Sequence, residues 1–313
     1  MRIERYFADD WSPQKVTVKR CGNVTEVTEM ESVPVAFMRN IDADYMMDLR
    51  TGELVEKQHS VSRDENIVSL KRTLKNLRDL INTNCCDPDK VLWLTLTYAE
   101  NMCDTERLYR DYEKFWKRLC YWFLKNSVPK PEYISVAEPQ ERGAWHLHVI
   151  LIWMDCPAPF ISNNDVVWRL WGHGFTKTKG VSNCDNLGAY FSAYLADLDV
   201  TGSDAVVDGS TVVLKPSDDG RTLKKIAKGA RLCLYPTGMR LYRHSRGVVI
   251  PVVEEVPPDS AQNEKVSAGT ETFSVTYRVV NDDNGCVNVF RKTYYNKVRV
   301  PVAIEYPVSD VIV

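Results

Sequence analysis

The sequence predicts an α+β fold, in which helices pack on a central antiparallel β-sheet. Three continuous apolar runs, 91–98, 133–138 and 144–153, have the length and the β-branched and aromatic content of buried strands. The last two are separated only by the turn-forming segment 139–143, which predicts a hairpin and therefore antiparallel pairing. Stretches with apolar residues at helical spacing lie between and around these runs, and 313 residues at 44% hydrophobic can bury a large core.

The first part of the chain alternates short β-prone runs with polar turns, and we interpret residues 1–60 as a β-rich N-terminal extension. Ser62-Arg-Asp-Glu65 has the pattern of a capping box, and the apolar spacing behind it predicts a helix over 63–82. Asp104 stands where an N-cap is needed for a second amphipathic helix, which runs to about Asn126.

The strand at 144–153 carries two histidines among apolar residues. Because strand side chains alternate between faces, His146 and His148 project from the same face, close enough to bind one metal ion. Two ordinary core histidines are the alternative. Glu138, across the hairpin, is a candidate third ligand; an odd number of loop residues places it on the face of His146, and an even number leaves it a solvated hairpin residue.

Three further elements follow in the sequence. Asn163 or Asn164 can cap a short helix that ends before Gly172, and the next strand, 175–179, carries lysines on one face, at positions 177 and 179. Residues 186–198 have helical propensity. Their two tyrosines are four residues apart, so they lie one above the other beside the apolar stripe; packing tyrosines are the alternative to a functional pair.

The formal charge of −2 excludes a protein coated in positive charge, so contact with nucleic acid requires a local basic patch. Residues 215–246 contain nine basic residues against two acidic ones, interleaved with aromatic residues, which is typical of a surface that holds a phosphate backbone and unstacked bases. A solvated face is the alternative. Counting the lysines of the preceding strand, the candidate DNA-binding residues are Lys177, Lys179, Lys224, Lys225, Lys228, Arg231, Arg240, Arg243 and Arg246.

The remaining features concern domains and compartment. Residues 61–250 are predicted to form the main domain, 251–270 a polar linker, and 271–313 a C-terminal β-hairpin. The nine cysteines form no C-x-x-C pair, which favours reduced thiols over disulfides or a zinc ribbon. No apolar run has the length of a signal peptide or a membrane span, so we expect a soluble, cytoplasmic protein.

Three motifs in this order resemble those of the HUH endonucleases, and specifically the two-tyrosine rolling-circle replication initiators of bacterial plasmids and phages. They are Leu94-Thr-Leu-Thr-Tyr98, Glu138-Pro-Gln-Glu-Arg-Gly-Ala-Trp-His146-Leu-His148, and Tyr190-x-x-x-Tyr194. The run 228–247 is also similar to a segment of that group, so the resemblance covers about half of the chain, from 90 to 247.

The resemblance implies a five-stranded antiparallel sheet of RRM-like topology with helices on one face and the histidines on a central strand. It implies that Tyr190 and Tyr194 are nucleophiles, and that His146, His148 and Glu138 bind a divalent ion. Hard carboxylate and neutral imidazole ligands at a phosphate suit Mg²⁺ or Mn²⁺. Relatives often place a lysine one turn after the tyrosine, where this chain has none, so we expect Lys177 or Lys179 to supply it.

The activity implied is nicking and joining of single-stranded origin DNA through a 5′-phosphotyrosine, which leaves a 3′-hydroxyl primer. A host helicase and polymerase are further candidate partners, and no membrane is expected. Two alternatives remain: a transposase or relaxase with the same chemistry, and a non-catalytic protein that binds single-stranded nucleic acid through stacking tyrosines.

Overall fold

The computed structural model describes residues 2–8, 10–33, 37–57, 67–140, 142–181, 185–199, 212–216, 223–227, 231, 234–236, 238–280 and 287–298. The chain divides into two compact units. The first combines residues 1–36 with 251–313, and the second consists of residues 37–250. No helix among the described residues has both the length and the apolar character needed to cross a membrane.

The first unit is one six-stranded antiparallel sheet that both ends of the chain build together. Its strands lie in the order β1, β16, β17, β3, β2, β15. They are β1 (Arg2–Arg5), β2 (Lys15–Cys21), β3 (Val24–Met30), β15 (Val253–Val256), β16 (Thr270–Val280) and β17 (Val287–Asn296), with helix α5 (Ala261–Ser267). Ala261 and Ala268 pack against Val18, Val27 and Tyr295, so α5 covers one face of the sheet.

The second unit contains a small β-meander, a five-stranded sheet and a three-stranded sheet. The meander is β4 (Met38–Asn40), β5 (Tyr45–Asp48) and β6 (Leu54–Glu56). The five-stranded sheet has the order β10, β7, β9, β8, β14, namely Thr176–Gly180, Val91–Leu96, Trp145–Ile152, Glu132–Pro139 and Tyr242–His244. The third sheet is β11 (Leu198–Asp199), β13 (Leu223–Ala227) and β12 (Val212–Pro216).

Four helices belong to the second unit: α1 (Ile67–Asn84), α2 (Thr105–Lys125), α3 (Trp168–Trp171) and α4 (Leu187–Ala196). Asp104 caps α2 as predicted, since its carboxylate accepts hydrogen bonds from the backbone N–H groups of Glu106 and Arg107. Gly172 ends α3 in the left-handed conformation, with φ of 73°.

The predicted α+β fold with helices on a central antiparallel sheet is confirmed. The pairs β7–β9 and β8–β9 are antiparallel, and β9, the strand with both histidines, lies at the centre. One expectation from the resemblance is wrong, because helices pack on both faces rather than one. α2 packs on the face of Leu96 and Leu147, whereas Ile81 of α1 and Phe191 of α4 pack on the face of Trp93 and Ile150. Alternation of apolar residues on both faces of these strands explains why both are covered.

Other boundaries differ from the sequence predictions for local reasons. Ser162, and neither Asn163 nor Asn164, caps the turn before α3, because its hydroxyl accepts from the N–H of Asp165 while the Asn163 side chain bonds to β10. Residues 253–267, predicted as a linker, form β15 and α5, and β15 pairs with β2. The capping box at 62–65 lies outside the described residues.

Candidate active site

Glu138, His146 and His148 share one face of the central sheet. The hairpin closes with Pro139 opposite Trp145, which leaves five loop residues, so Glu138 lies directly opposite His146. His148 lies between Val136 on one neighbouring strand and Thr95 on the other. The odd loop length is therefore what brings the carboxylate to the face of the histidines.

The two imidazoles meet at one oxygen of the carboxylate. His148 Nε2 is 2.7 Å from Glu138 Oε2, and His146 Nδ1 is 3.8 Å from the same atom. Glu138 and His148 are almost completely buried, with 1% exposure each, whereas His146 is partly exposed. Burial lowers the pKa of His146, and this outweighs the opposite effect of Glu138. The imidazole is therefore neutral near pH 7, with a lone pair available.

Two neighbours on β7 fix the orientation of His148. The Trp93 indole N–H donates to His148 Nδ1 over 3.2 Å, and Thr95 Oγ1 is 3.3 Å from the same nitrogen. Since Nδ1 accepts from Trp93, Nε2 carries the proton that it donates to Glu138. Trp93 was not singled out in the sequence, although the two-residue period places it on the same face as Thr95.

Arg231 completes the surroundings of the carboxylate. Its Nη1 forms an ion pair with Glu138 Oε1, and its Nε donates to the carbonyl oxygen of Asp197, just after α4, over 3.1 Å. The side chain is 12% exposed. The sequence predicted Arg231 as a DNA-binding residue of a solvated patch, but the structure places it in a buried contact between Glu138 and the end of the tyrosine helix.

Tyr190 lies over the same sheet face. It is 55% exposed, its ring is 6.1 Å from that of Trp93, and its neighbour Phe191 packs on Trp93 at 4.5 Å. A cavity of about 340 Å³ opens here, lined by Trp93, Lys179 and Tyr190 among others. The Tyr194 side chain lies outside the described residues, so its direction relative to this cavity stays a prediction.

The two lysines of β10 are on this face as well. Lys177 is opposite Thr95 and Lys179 is opposite Trp93, and both are exposed. The ammonium group of Lys179 lies 4.8 Å from the centre of the Trp93 ring. One side of the sheet thus brings together a tyrosine, two lysines, two histidines and a carboxylate.

The rest of the predicted basic patch is dispersed. Lys225, Arg240 and Arg246 are exposed, whereas Arg243 is half-buried with its guanidinium 3.6 Å from the centre of the Tyr109 ring. Lys228 and the Lys224 side chain lie outside the described residues. Arg240, Arg243 and the half-buried ring of Tyr242 line a cavity of about 660 Å³ beside β14.

The donor types around Glu138 suit a divalent ion, but the site is arranged for other contacts. Bonds of about 2.1 Å at tetrahedral or octahedral angles separate two ligands by about 3.0–3.4 Å. The separations of 2.7 and 3.8 Å bracket that range. With Glu138 bonded to His148 and Arg231, however, no group of three or more His, Cys, Asp or Glu in the described part of the chain is placed so that it could hold a metal ion.

Fold and site define a central antiparallel sheet with a cluster of ionisable side chains on one face, beneath a tyrosine-bearing helix. Residues 91–199, which run from β7 through α4, match the ORF2 family of replication-associated proteins. This match covers roughly a third of the chain and supports a rolling-circle replication initiator, for which DNA is the expected partner. No curated protein and no solved structure matches the chain.

Proposed function

We propose that this protein initiates rolling-circle replication by nicking and rejoining single-stranded DNA with a tyrosine nucleophile. The observation that carries the proposal is the placement of Tyr190 over the sheet face where Glu138, His146 and His148 meet. The family match includes all four residues, which favours a role in replication for this face. Tyr194, one turn further along α4, is the second proposed nucleophile.

In the proposed reaction the phenolic oxygen of a tyrosine attacks the scissile phosphorus. A new O–P bond forms, the bond from phosphorus to the 3′ oxygen breaks, and the 3′ oxygen takes up a proton and leaves as a hydroxyl group. The phenol gives up its proton to solvent. Lys179 lies beside Tyr190 in the same cavity, where its positive charge favours the phenolate. The 3′-hydroxyl then primes synthesis, and reversal of the step from the phosphotyrosine rejoins a strand.

Glu138, His146 and His148 are the residues we propose to hold a divalent ion, Mg²⁺ or Mn²⁺. Such an ion would polarise the phosphate and stabilise the charge that gathers on its non-bridging oxygens. Thr95 Oγ1, at 3.3 Å from His148 Nδ1, supports this assignment, because it can accept a proton from Nδ1 and so leave the Nε2 lone pair free. Glu138 would have to exchange its contact with His148 or Arg231 for the ion.

The test is formation of a covalent protein–DNA adduct. The full chain is incubated with single-stranded oligonucleotides of randomised sequence and Mg²⁺ or Mn²⁺, then resolved on a denaturing gel. We expect an adduct that EDTA prevents and that mass spectrometry maps to Tyr190 or Tyr194. The double variant Tyr190→Phe/Tyr194→Phe should lose the adduct while it still binds the oligonucleotide, since phenylalanine keeps the ring without the nucleophile.

Tyr121→Phe is the matched control, because Tyr121 is a 66% exposed tyrosine on α2, away from this face. It should form the adduct at the level of the unaltered protein. An adduct that survives in the double variant would move the nucleophile elsewhere. Oligonucleotide binding without any adduct, in either metal, would favour the non-catalytic binding protein.

A further inference from the structure

The first unit presents an aromatic face that the activity proposed above does not use. Four rings and a lysine make up this face: Phe273 and Tyr277 on β16, and Phe290, Lys292 and Tyr294 on β17. In the register of the two strands, Tyr277 is opposite Phe290, Val275 is opposite Lys292, and Phe273 is opposite Tyr294. The rings therefore form two cross-strand pairs with a cation between them.

The rings of each pair are in contact. Tyr277 and Phe290 are stacked, with centres 5.4 Å apart and an angle of 11° between their planes, and Phe273 and Tyr294 are 6.2 Å apart. The pairs are four residues apart along β17, which corresponds to about 13 Å. Lys292 lies halfway, with its ammonium group 5.8 Å from the centre of the Tyr277 ring.

The aromatic face is not the core face of its sheet. The helix of this unit, α5, packs on the opposite face against Val18 and Val27, in the row that continues through Thr293 and Ser274. The aromatic residues stay accessible: Phe273 is 57% exposed, and the other three rings are partly exposed. A cavity of about 280 Å³ opens beside Tyr277, Phe290 and Lys292. Hydrophobic burial within this unit therefore does not explain the rings.

Charge favours an anionic occupant over an apolar one. Lys19, on β2, lines the same cavity as Lys292, against the single carboxylate of Glu26. Burial lowers the pKa of Lys292, but Tyr277 and Glu26 outweigh this and leave the pKa raised, so the side chain stays cationic at neutral pH. Paired aromatic rings with a cation between them match the alternation of bases and phosphates along a single strand.

We propose that the aromatic face binds single-stranded DNA, with unstacked bases on its two ring pairs and the intervening phosphates near Lys292. Recognition would be tolerant of sequence, because every base has a face that can stack. The site lies in the unit formed by the two chain ends, outside the matched residues 91–199. Its function would be to hold the strand independently of the chemistry at Tyr190.

The first test measures binding of a fluorescein-labelled oligothymidine to the full chain in EDTA, where no cleavage is expected. The double variant Tyr277→Val/Phe290→Val removes one ring pair and keeps residues that favour strands. We expect its affinity to fall about 5- to 100-fold. Tyr277→Phe, which keeps the ring, should retain the affinity of the unaltered protein. Phe7→Val is the matched control, since Phe7 is an 87% exposed ring of the same unit that does not belong to the aromatic face.

The second test locates the contact, because the other unit is also proposed to bind DNA. Photocrosslinking with 5-bromodeoxyuridine oligonucleotides should yield adducts in peptides that contain residues 270–280 or 287–296. Crosslinks confined to other peptides, or equal losses of affinity in the double variant and in Phe7→Val, would overturn the proposal. So would unchanged affinity with a shift in oligomeric state, which would assign the face to a second copy of the chain.

Both tests remain informative if the double variant fails to fold, which its melting curve would reveal. Lys292→Gln then replaces it in the binding assay, with an expected loss of about threefold or more for a phosphate contact, and the crosslinks need no variant. Neither test requires an adduct, so failure of the proposed nicking activity and failure of this proposal are distinguishable.

Discussion

The buried carboxylate of Glu138 depends on Arg231 for its charge balance. Both side chains are nearly inaccessible, and removing one partner of a buried ion pair leaves an uncompensated charge. We expect Arg231→Gln to lower the free energy of unfolding by about 3 kcal/mol in EDTA. Urea denaturation followed by tryptophan fluorescence measures this loss.

Divalent ions should recover part of that stability if Glu138 is a ligand, because the ion would replace the lost positive charge. Arg246→Gln is the control: Arg246 is an exposed arginine of the same segment, and its loss should change stability by less than about 0.5 kcal/mol. Equal stability of the Arg231 and Arg246 variants in EDTA would contradict the role of the ion pair.

At the scale of single residues, the sequence could predict the positions that alternation along one strand determines, and not those that depend on distant segments. The shared face of His146 and His148 needs only the two-residue period, and the position of Glu138 needed only the loop count. Arg231 is 93 residues from Glu138, so no local pattern indicates their contact. Its charge alone assigned it to a solvated patch.

The tyrosine helix is held by a close approach to α1 that only glycine permits. A Cβ on Gly188 would lie 2.2 Å from the Arg78 carbonyl oxygen, which belongs to the α1 backbone and cannot rotate away. The Asn82 side chain accepts a hydrogen bond from the Gly188 N–H at 2.8 Å, at the start of α4. The position of Tyr190 over the sheet therefore depends on this contact between helices.

We expect Gly188→Ala to destabilise the protein by about 1–3 kcal/mol and to reduce adduct formation, since α4 must move away from α1. Thermal melting and hydrogen exchange of residues 187–197 measure the two effects. Gly180→Ala is the matched control, because a Cβ there would meet nothing within 4 Å. Normal exchange in α4 of the Gly188 variant would show that the helices can separate without cost.

Elements with strong local signals were predicted closely. The N-cap of α2 followed from Asp104, and the second hairpin, expected at 273–280 and 287–295, is observed as β16 and β17. The segment 251–270 was predicted as a linker because its prolines and acidic residues are typical of one. Its strand β15 is stabilised by pairing with β2, more than 200 residues earlier, which composition cannot indicate.

The division of the whole molecule was the least predictable feature. The sequence suggested an N-terminal extension and a separate C-terminal hairpin, whereas the structure joins them in one sheet, with β3 paired to β17. The register is set by pairs such as Val27 with Thr293. Such long-range pairs leave no periodic signal in either segment, so each segment alone has the pattern of an incomplete sheet.

The two units also differ in what they require from the chain. The core clusters of the second unit consist only of residues between 70 and 248, whereas the core of the first unit needs both ends, from Val16 to Tyr295. We therefore expect a fragment of residues 37–250 to melt cooperatively and to form the covalent adduct. Circular dichroism and the denaturing-gel assay measure these properties.

The same fragment lacks the aromatic face, so its affinity for oligothymidine in EDTA should fall to that of Tyr277→Val/Phe290→Val in the full chain. Equality is expected because both proteins lose stacking on the same rings while the site at Glu138 is retained. A fragment that binds as tightly as the full chain would place all of the DNA contact in the second unit. A fragment that does not melt cooperatively would contradict the independence of its core.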